Sequence, residues 1–314
     1  MTEEKTIRVL LVEDTKTDAI LIRNWLTKAS AGLYDIQHVE TLKEAVNSLA
    51  ASAFDVVLLD LSLPDTSEFD GLIRIHTLVP HIPIIILTSH NDEDTAVSSV
   101  GHGAQDYLFK DSSNAEVIKR AIRYAMQRKQ MEGNLFTRAN YDALTELANR
   151  TFFENRLDFM IERSKRNPMG IAIFFLDLDR FKQVNDTLGH AAGDMLLKQV
   201  AVRIKTSTRP YDTSARFGGD EFALLLEDIK HLNDCVAVAE KIIHQISMPF
   251  SIGEKSVEVG VSIGIATNLD SMTVTRENLM QQADRAMYMA KMRNGSCYNF
   301  YDAQAVEAKK AGNV

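Results

Sequence analysis

The stretch Arg216-Phe-Gly-Gly-Asp-Glu-Phe222 places two adjacent carboxylates, Asp220 and Glu221, directly after a glycine pair. Glycine lets the backbone approach a ligand closely, and paired carboxylate oxygens suit a hard cation that holds nucleotide phosphates. A second acidic string, Asp177-Leu-Asp-Arg-Phe-Lys182, follows the apolar run 171–176. A third set is scattered: Glu13 and Asp14 follow the run 7–12, Asp60 follows 54–59, Thr88 follows 82–87, and Lys110 follows 107–109. The second and third sets close apolar runs, so they stand where buried strands surface.

The elements needed to position these residues follow from the pattern. Residues 213–217 and 222–226 read as strands joined by the Gly218-Gly219 turn, which makes a hairpin with carboxylates at its tip. In the first 130 residues the strand runs alternate with helix-period segments at 18–29 and 42–50, giving an α/β, doubly wound parallel sheet with helices on both faces. All its polar residues then share one edge of the sheet, the ligand edge.

The pentapeptide resembles the GGDEF motif of diguanylate cyclases. Asp142-Ala-Leu-Thr145, Asn149-Arg150 and the string from Gln183 through Asn185, Gly189 and Gly193 to Asp194 extend the resemblance over about residues 140–302. It implies an α+β domain similar to a nucleotidyl cyclase or polymerase palm. It further implies Asp177 and Asp220 as metal ligands, the Leu178 carbonyl assisting, Glu221 beside the metals, and Asn185 and Asp194 reading the guanine edge. The resemblance also implies Mg²⁺ or Mn²⁺ as the metal and GTP as the substrate.

Residue types agree with that chemistry. Joining two nucleoside triphosphates requires charge to be neutralised on both the attacking and the leaving oxygens. Arg180, Phe181 and Lys182 can cradle phosphates through the amides of their turn and the Lys182 ammonium. No Gly-x-x-x-x-Gly-Lys-Ser/Thr string offers a P-loop instead. Asn185 presents a donor and an acceptor, and an ionised Asp194 accepts from the guanine N1–H and 2-amino groups, which adenine lacks. Relatives making mixed dinucleotides carry serine where this chain has Asp194, so guanine is expected at both sites. Helix capping ahead of residues 195–204 is the alternative for Asn185 and Asp194, and Asp186 reads as a cap or turn residue.

The similarity weakens at its end. Lys291 matches a phosphate-contacting lysine, but the usual Gly-Arg-Asn is Asn294-Gly295-Ser296, so Gly295 replaces an arginine; either Arg293 substitutes or one phosphate contact is missing. Arg209-Pro-Tyr-Asp212 stands at the position of the RxxD product-inhibition site, with a plain surface turn as the alternative. Arginine reads phosphates bidentately, and Asp212 can accept from guanine.

The first 130 residues resemble a response-regulator receiver with a flavodoxin-like fold. The resemblance implies that Asp60 accepts phosphate from a sensor histidine kinase or phosphotransfer protein. Glu13, Asp14 and the Ser62 carbonyl then bind Mg²⁺ with it, Thr88 and Lys110 contact the phosphoryl group, and Tyr107 is an aromatic switch. Glu68 departs from the glycine usual after Leu-Pro-Asp. Gly101-His-Gly103 follows a helix and lacks a third glycine, so it reads as a helix C-cap.

The 314 residues, 45% hydrophobic, suit two domains. Net charge is −8, distributed unevenly: residues 1–112 carry 8 basic and 18 acidic side chains, residues 113–314 carry 27 and 25. So acidic a chain, without a helix-turn-helix, argues against nucleic-acid binding. Apolar runs are short of membrane-span length and no cationic leader opens the chain, which points to the cytoplasm. Cys235 and Cys297 show no paired spacing, as expected in a reducing compartment.

Residues 114–140 read as one helix capped by Ser113 or Asn114. The domain expectation is a receiver over 1–125, a helical linker over 126–140, the GGDEF domain over 141–302 and a tail over 303–314. Ile118, Ile122 and Ala125 form one seam on the helix. Val117, Ala121, Tyr124, Met131, Leu135 and Arg138 form another, out of step with the first. Two dimer registers, or a solvated tail, both accommodate this. The sequence thus points to a phosphorylation-controlled diguanylate cyclase working as a homodimer and inhibited by its product, cyclic di-GMP. The alternatives are an inactive GTP or cyclic di-GMP receptor and a phosphate relay.

Overall fold

The computed structural model describes residues 6–28, 32–67, 69–89, 93–167, 169–269, 274–293 and 296–301. Glu68, Asn294, Gly295 and the tail 303–314 lie outside them. The chain divides into two compact units, Met1–Leu135 and Phe136–Val314.

In the first unit, β1 (Ile7–Val12), α1 (Lys16–Lys28), β2 (Tyr34–Val39), α2 (Leu42–Ala51) and β3 (Val56–Asp60) are followed by α3 (Asp70–Leu78), β4 (Ile84–Thr88), α4 (Glu93–Gly101), β5 (Asp106–Phe109) and α5 (Ala115–Asn140). Every strand pair is parallel, in the order β2-β1-β3-β4-β5. β3 and β4 are buried along their whole length, as strands covered by helices on both faces must be. One face packs Leu10, Leu59 and Ile86 against Leu72 and Ile75 of α3. The other packs Leu11, Leu58 and Ile85 against Ile22 of α1 and Ile122 of α5.

The sequence pattern offers four strands here and the structure has five. β2 is the addition: an edge strand of half-buried and exposed residues, without the continuous apolar run that marks its neighbours. The Gly101 to Gly103 segment does close α4, with the Gly103 amide donating to the Val100 carbonyl and Gly103 at φ 105°. Asn114 caps α5 through its side-chain oxygen, which accepts from the Glu116 and Val117 amides. α5 buries Ile118, Ala121, Ile122 and Ala125, and continues helically through Gly133.

The second unit contains β6 (Ala148–Asn149), α6 (Arg150–Arg166), β7 (Gly170–Asp179), α7 (Phe181–Leu188), α8 (His190–Ser207), β8 (Thr213–Gly218) and β9 (Glu221–Ile229). Then follow α9 (Leu232–Ser247), a small hairpin of β10 (Phe250–Ile252) and β11 (Lys255–Val257), β12 (Gly260–Thr267), α10 (Arg276–Lys291) and β13 (Cys297–Phe300). The sheet order is β13-β12-β7-β9-β8-β6, with β7 central and antiparallel to both neighbours. Alternation along β7 sends Phe174, Leu176 and Leu178 into the core under α8 and α9. Ile171, Ile173 and Phe175 go into the core under α6 and α10.

Three local expectations change. β7 does not stop at residue 176 but runs on to Asp179, so Asp177 sits inside a strand, held by pairing with β9 and β12. Asp194 is no cap, because α8 starts four residues earlier, at His190, with Gly189 as its cap. Asp186 lies within α7, whose cap is Arg180 at φ 64°.

Candidate functional site

The centre of the second unit is built on strand register. Asp177 of β7 is paired directly with Glu221, the first residue of β9. The Leu178 amide donates to the Asp220 carbonyl at 3.3 Å, fastening the turn to β7. That turn needs its glycines: Gly218 and Gly219 have φ values of 136° and 52°. Asp177 is only 6% exposed. Burial, reinforced by the charge of Asp177, raises the Asp220 carboxyl above the ordinary aspartate value against a hydrogen bond from its own amide. Lys291, at the end of α10, places its ammonium 2.7 Å from Asp177 Oδ1, and this contact raises the lysine above its usual value. It thus meets a buried carboxylate where the sequence led us to expect a phosphate contact.

Asp179 accepts from the Ser262 hydroxyl at 2.8 Å through Oδ1, while its buried Oδ2 has no hydrogen-bond partner among the described residues. Directly after it α7 begins. Lys182 is exposed there, whereas the Phe181 ring is buried in the core and leaves only its backbone to face a ligand. α7 packs against α8, which brings Asn185 beside Gly193 and so beside Asp194. A Cβ at Gly193 would lie 1.9 Å from Asn185 Oδ1, so the glycine makes room for the amide.

A bracket that sequence reading missed fixes the hairpin tip. Asp142 accepts from the Thr145 amide at 2.9 Å and hydroxyl at 2.6 Å, and from Arg216 Nη1 at 3.1 Å. Arg216 also donates to the Gly219 carbonyl through Nη2 at 2.8 Å and Nε at 3.1 Å. Both residues stood in the strings that signalled the motif, but no periodicity reveals a pair so far apart in the chain.

Arg209 and Asp212 form a tight turn in which the Arg209 amide donates to Asp212 Oδ2 at 2.9 Å. Asp212 Oδ1 accepts from the Glu227 amide at 3.3 Å, and burial raises this carboxyl. The Arg209 guanidinium is exposed and donates to the Tyr211 hydroxyl at 2.9 Å.

In the first unit Glu13, Asp14 and Asp60 bring carboxylate oxygens within 4.8 Å of one another, the only such group of three among the described residues. Asp177, Asp220 and Glu221 do not gather to that spacing. The Lys110 ammonium lies 2.7 Å from Glu13 Oε2, 3.0 Å from Asp60 Oδ2 and 3.2 Å from Asp18 Oδ2; Asp18 is a partner that the sequence did not suggest. Burial pushes the Glu13 carboxyl up to about 7 despite this lysine. Burial works against the Lys110 charge, yet Glu13 and Asp60 hold it above its ordinary value. The Ser62 amide donates to Asp60 Oδ1 at 3.2 Å. Thr88 is buried at the end of β4, and Tyr107 packs edge-on against Phe109 at 5.5 Å. The Glu13, Asp14 and Asp60 cluster fits a hard divalent cation, and buried Asp177 beside Asp220 and Glu221 offers carboxylate oxygens of the same kind at a wider spacing.

The comparisons agree with the geometry. Residues 139–297 match the family model for the diguanylate cyclase GGDEF domain, and residues 9–122 match that for the response regulator receiver domain. The chain belongs to the GGDEF family, with a receiver domain ahead of the GGDEF domain. MucR of Pseudomonas aeruginosa, a bifunctional diguanylate cyclase and cyclic di-GMP phosphodiesterase, is 45% identical over 162 residues, covering 51% of this chain and 23% of MucR. The response regulator PleD of Caulobacter vibrioides is 27% identical over 299 residues, 90% of this chain and 63% of PleD. The solved GGDEF-only structure of TpbB from Pseudomonas aeruginosa matches with a TM-score of 0.52 at 36% identity, covering 54% of this chain and 99% of that one. The chain thus spans less than two thirds of the length of these curated relatives.

Proposed function

We propose that the protein is a diguanylate cyclase that condenses two GTP into cyclic di-GMP and two pyrophosphates under control of its receiver domain. The observation that carries the reading is the strand pairing of Asp177 with Glu221, beside Asp220 and Lys291, in a chain of the GGDEF family. A divalent cation, Mg²⁺ or Mn²⁺, would be held by Asp177, Asp220, Glu221 and the Leu178 carbonyl, and would neutralise charge on the reacting phosphate. Asn185 and Asp194 orient guanine, while Lys182, Lys291 and the backbone of Arg180 and Phe181 bind phosphates. Each 3′-oxygen forms a bond to the α-phosphorus of the other GTP as the bond to pyrophosphate breaks, so two domains must face each other and the working form is a homodimer. Tyr124, Met131, Leu135 and Phe136 of α5 are more than half exposed, which supports a second copy as their cover.

In the first unit Asp60 is the phosphoacceptor, with Glu13, Asp14 and Ser62 around a second cation and Thr88, Lys110 and Tyr107 as the responding set. A kinase or phosphotransfer protein is the phosphodonor, and with GTP as substrate the cytoplasm is the site of action. Arg209, exposed and set in its turn by Asp212, is the contact for inhibitory product.

Incubation of the purified protein with GTP and Mg²⁺ is expected to yield cyclic di-GMP and pyrophosphate in a ratio of one to two. Asp177→Ala and Asp220→Ala are expected to abolish product with circular dichroism unchanged. Robust synthesis by either variant overturns the assignment, and GTP binding without product in the parent makes the domain a receptor. Arg209→Ala is expected to keep the initial rate and lose inhibition by added cyclic di-GMP; unchanged inhibition reduces the motif to a turn.

A further inference from the structure

We infer that Arg285 is a second cationic contact for the triphosphate of GTP, working beside Lys291; this rests on the cyclase reading above. A cavity of about 460 Å³ opens next to Asp177 and Glu221, and α10 supplies the rest of its charged wall through Asp284, Arg285 and Lys291. The wall therefore holds three carboxylates and two cations before a nucleotide arrives. Lys291 is tied to Asp177 at 2.7 Å, so one ammonium would have to serve a buried carboxylate and a triphosphate together. The Arg285 side chain is exposed and its guanidinium makes no ion pair or hydrogen bond with any described residue. Its planar fork suits two phosphate oxygens at once.

The packing of α10 sets which of its residues turn away from the sheet. A Cβ at Gly264 would lie 2.1 Å from the Ala283 carbonyl and 2.1 Å from the Met287 amide, so α10 lies directly on β12. Ala283, Ala286 and Met287 face the sheet and Asp284, Arg285 and Tyr288 face out. Arg293, which the sequence offered as the substitute for the arginine replaced by Gly295, does not line this cavity. Its amide bonds the Ala290 carbonyl and its charge bears on Cys297.

The test uses the full chain and 3′-deoxy-GTP, which lacks the attacking hydroxyl and so reports binding without turnover. Arg285→Ala is expected to weaken 3′-deoxy-GTP binding about tenfold, the size of one charge-assisted phosphate contact, while GMP binding stays as in the parent. The KM for GTP should rise by a similar factor with kcat nearly unchanged, since the contact exists in ground and transition states alike. Arg285→Lys should recover part of the loss and Arg293→Ala should match the parent. Parent-like 3′-deoxy-GTP binding by Arg285→Ala, or an equal loss for GTP analogue and GMP, overturns the inference. A parent that neither binds 3′-deoxy-GTP nor makes product overturns the cyclase reading itself, and that result is visible before any variant is made.

Discussion

At the scale of single residues, Asp142 and Arg216 show how the Gly218-Gly219 turn is held by groups outside it. The Asp142 carboxylate takes two hydrogen bonds from Thr145 and two from Arg216, and the same guanidinium holds the Gly219 carbonyl. Burial alone would raise the Asp142 carboxyl, but the Thr145 and Arg216 hydrogen bonds outweigh it and the value is lowered. A carboxyl lowered on folding adds stability that is present above its unfolded value, near 3.8, and is lost as pH falls through the folded value. Asp142→Asn should therefore melt below the parent at pH 7 by the equivalent of about 1.5–3 kcal/mol, the range for hydrogen bonds to a charged group. The gap should narrow steadily below pH 4. Melting curves from pH 7 to pH 3 check this, and a pH-independent gap would show that the charge of Asp142 is not what holds the turn. The motif string announced Asp220 and Glu221 by composition alone. It could not announce the Asp142 to Arg216 pair, which exists only once β6 and β8 lie side by side.

At the scale of elements, β3 and β4 were legible because helices bury both their faces, and β2 at the sheet edge was missed because its residues are mixed. β3 and β4 are apolar up to their terminal Asp60 and Thr88 and β1 is interrupted only by Arg8, while β2, at the sheet edge, mixes Asp, Gln and His with its apolar residues. The α7–α8 pair shows the same limit. Its contents were readable, but not the helix starts, because Arg180 and Gly189 cap through left-handed or unusual backbone and neither cap makes a side-chain hydrogen bond. The consequence is testable at Gly193. A methyl group there would meet Asn185 Oδ1 at 1.9 Å and force the amide away from its place beside Asp194. Gly193→Ala should raise the KM for GTP about tenfold, as expected for one lost hydrogen-bonding group, with helix content retained by circular dichroism. A parent-like KM would mean that the Asn185 amide does not read the base.

At the scale of the whole molecule, the proposed control would link Asp60 to the Asp177 to Glu221 site. In the receiver unit Lys110 is held by three carboxylates, those of Glu13, Asp18 and Asp60, and Thr88 ends the strand next to that of Asp60. A phosphoryl group on Asp60 would add negative charge and acceptor oxygens beside Thr88 and Lys110 and draw both toward it. Tyr107 stands on β5, and α5 begins a few residues later with a seam of exposed apolar residues from Tyr124 to Phe136. If phosphorylation favours the dimer arrangement in which two hairpin tips face each other across GTP, a shift of ~3 kcal/mol changes the competent fraction by about two orders of magnitude while that fraction is small. The prediction is a large rise in cyclase rate on adding a beryllium fluoride mimic of phosphate to the parent. Asp60→Asn, which cannot hold the mimic as an acyl-phosphate analogue, should show no rise. The rise should also steepen with protein concentration in the range where dimers form, because the proposed active site needs two chains. Equal rates in all four conditions would show that the receiver does not govern the cyclase, and a rise independent of protein concentration would place the control within a dimer that already exists.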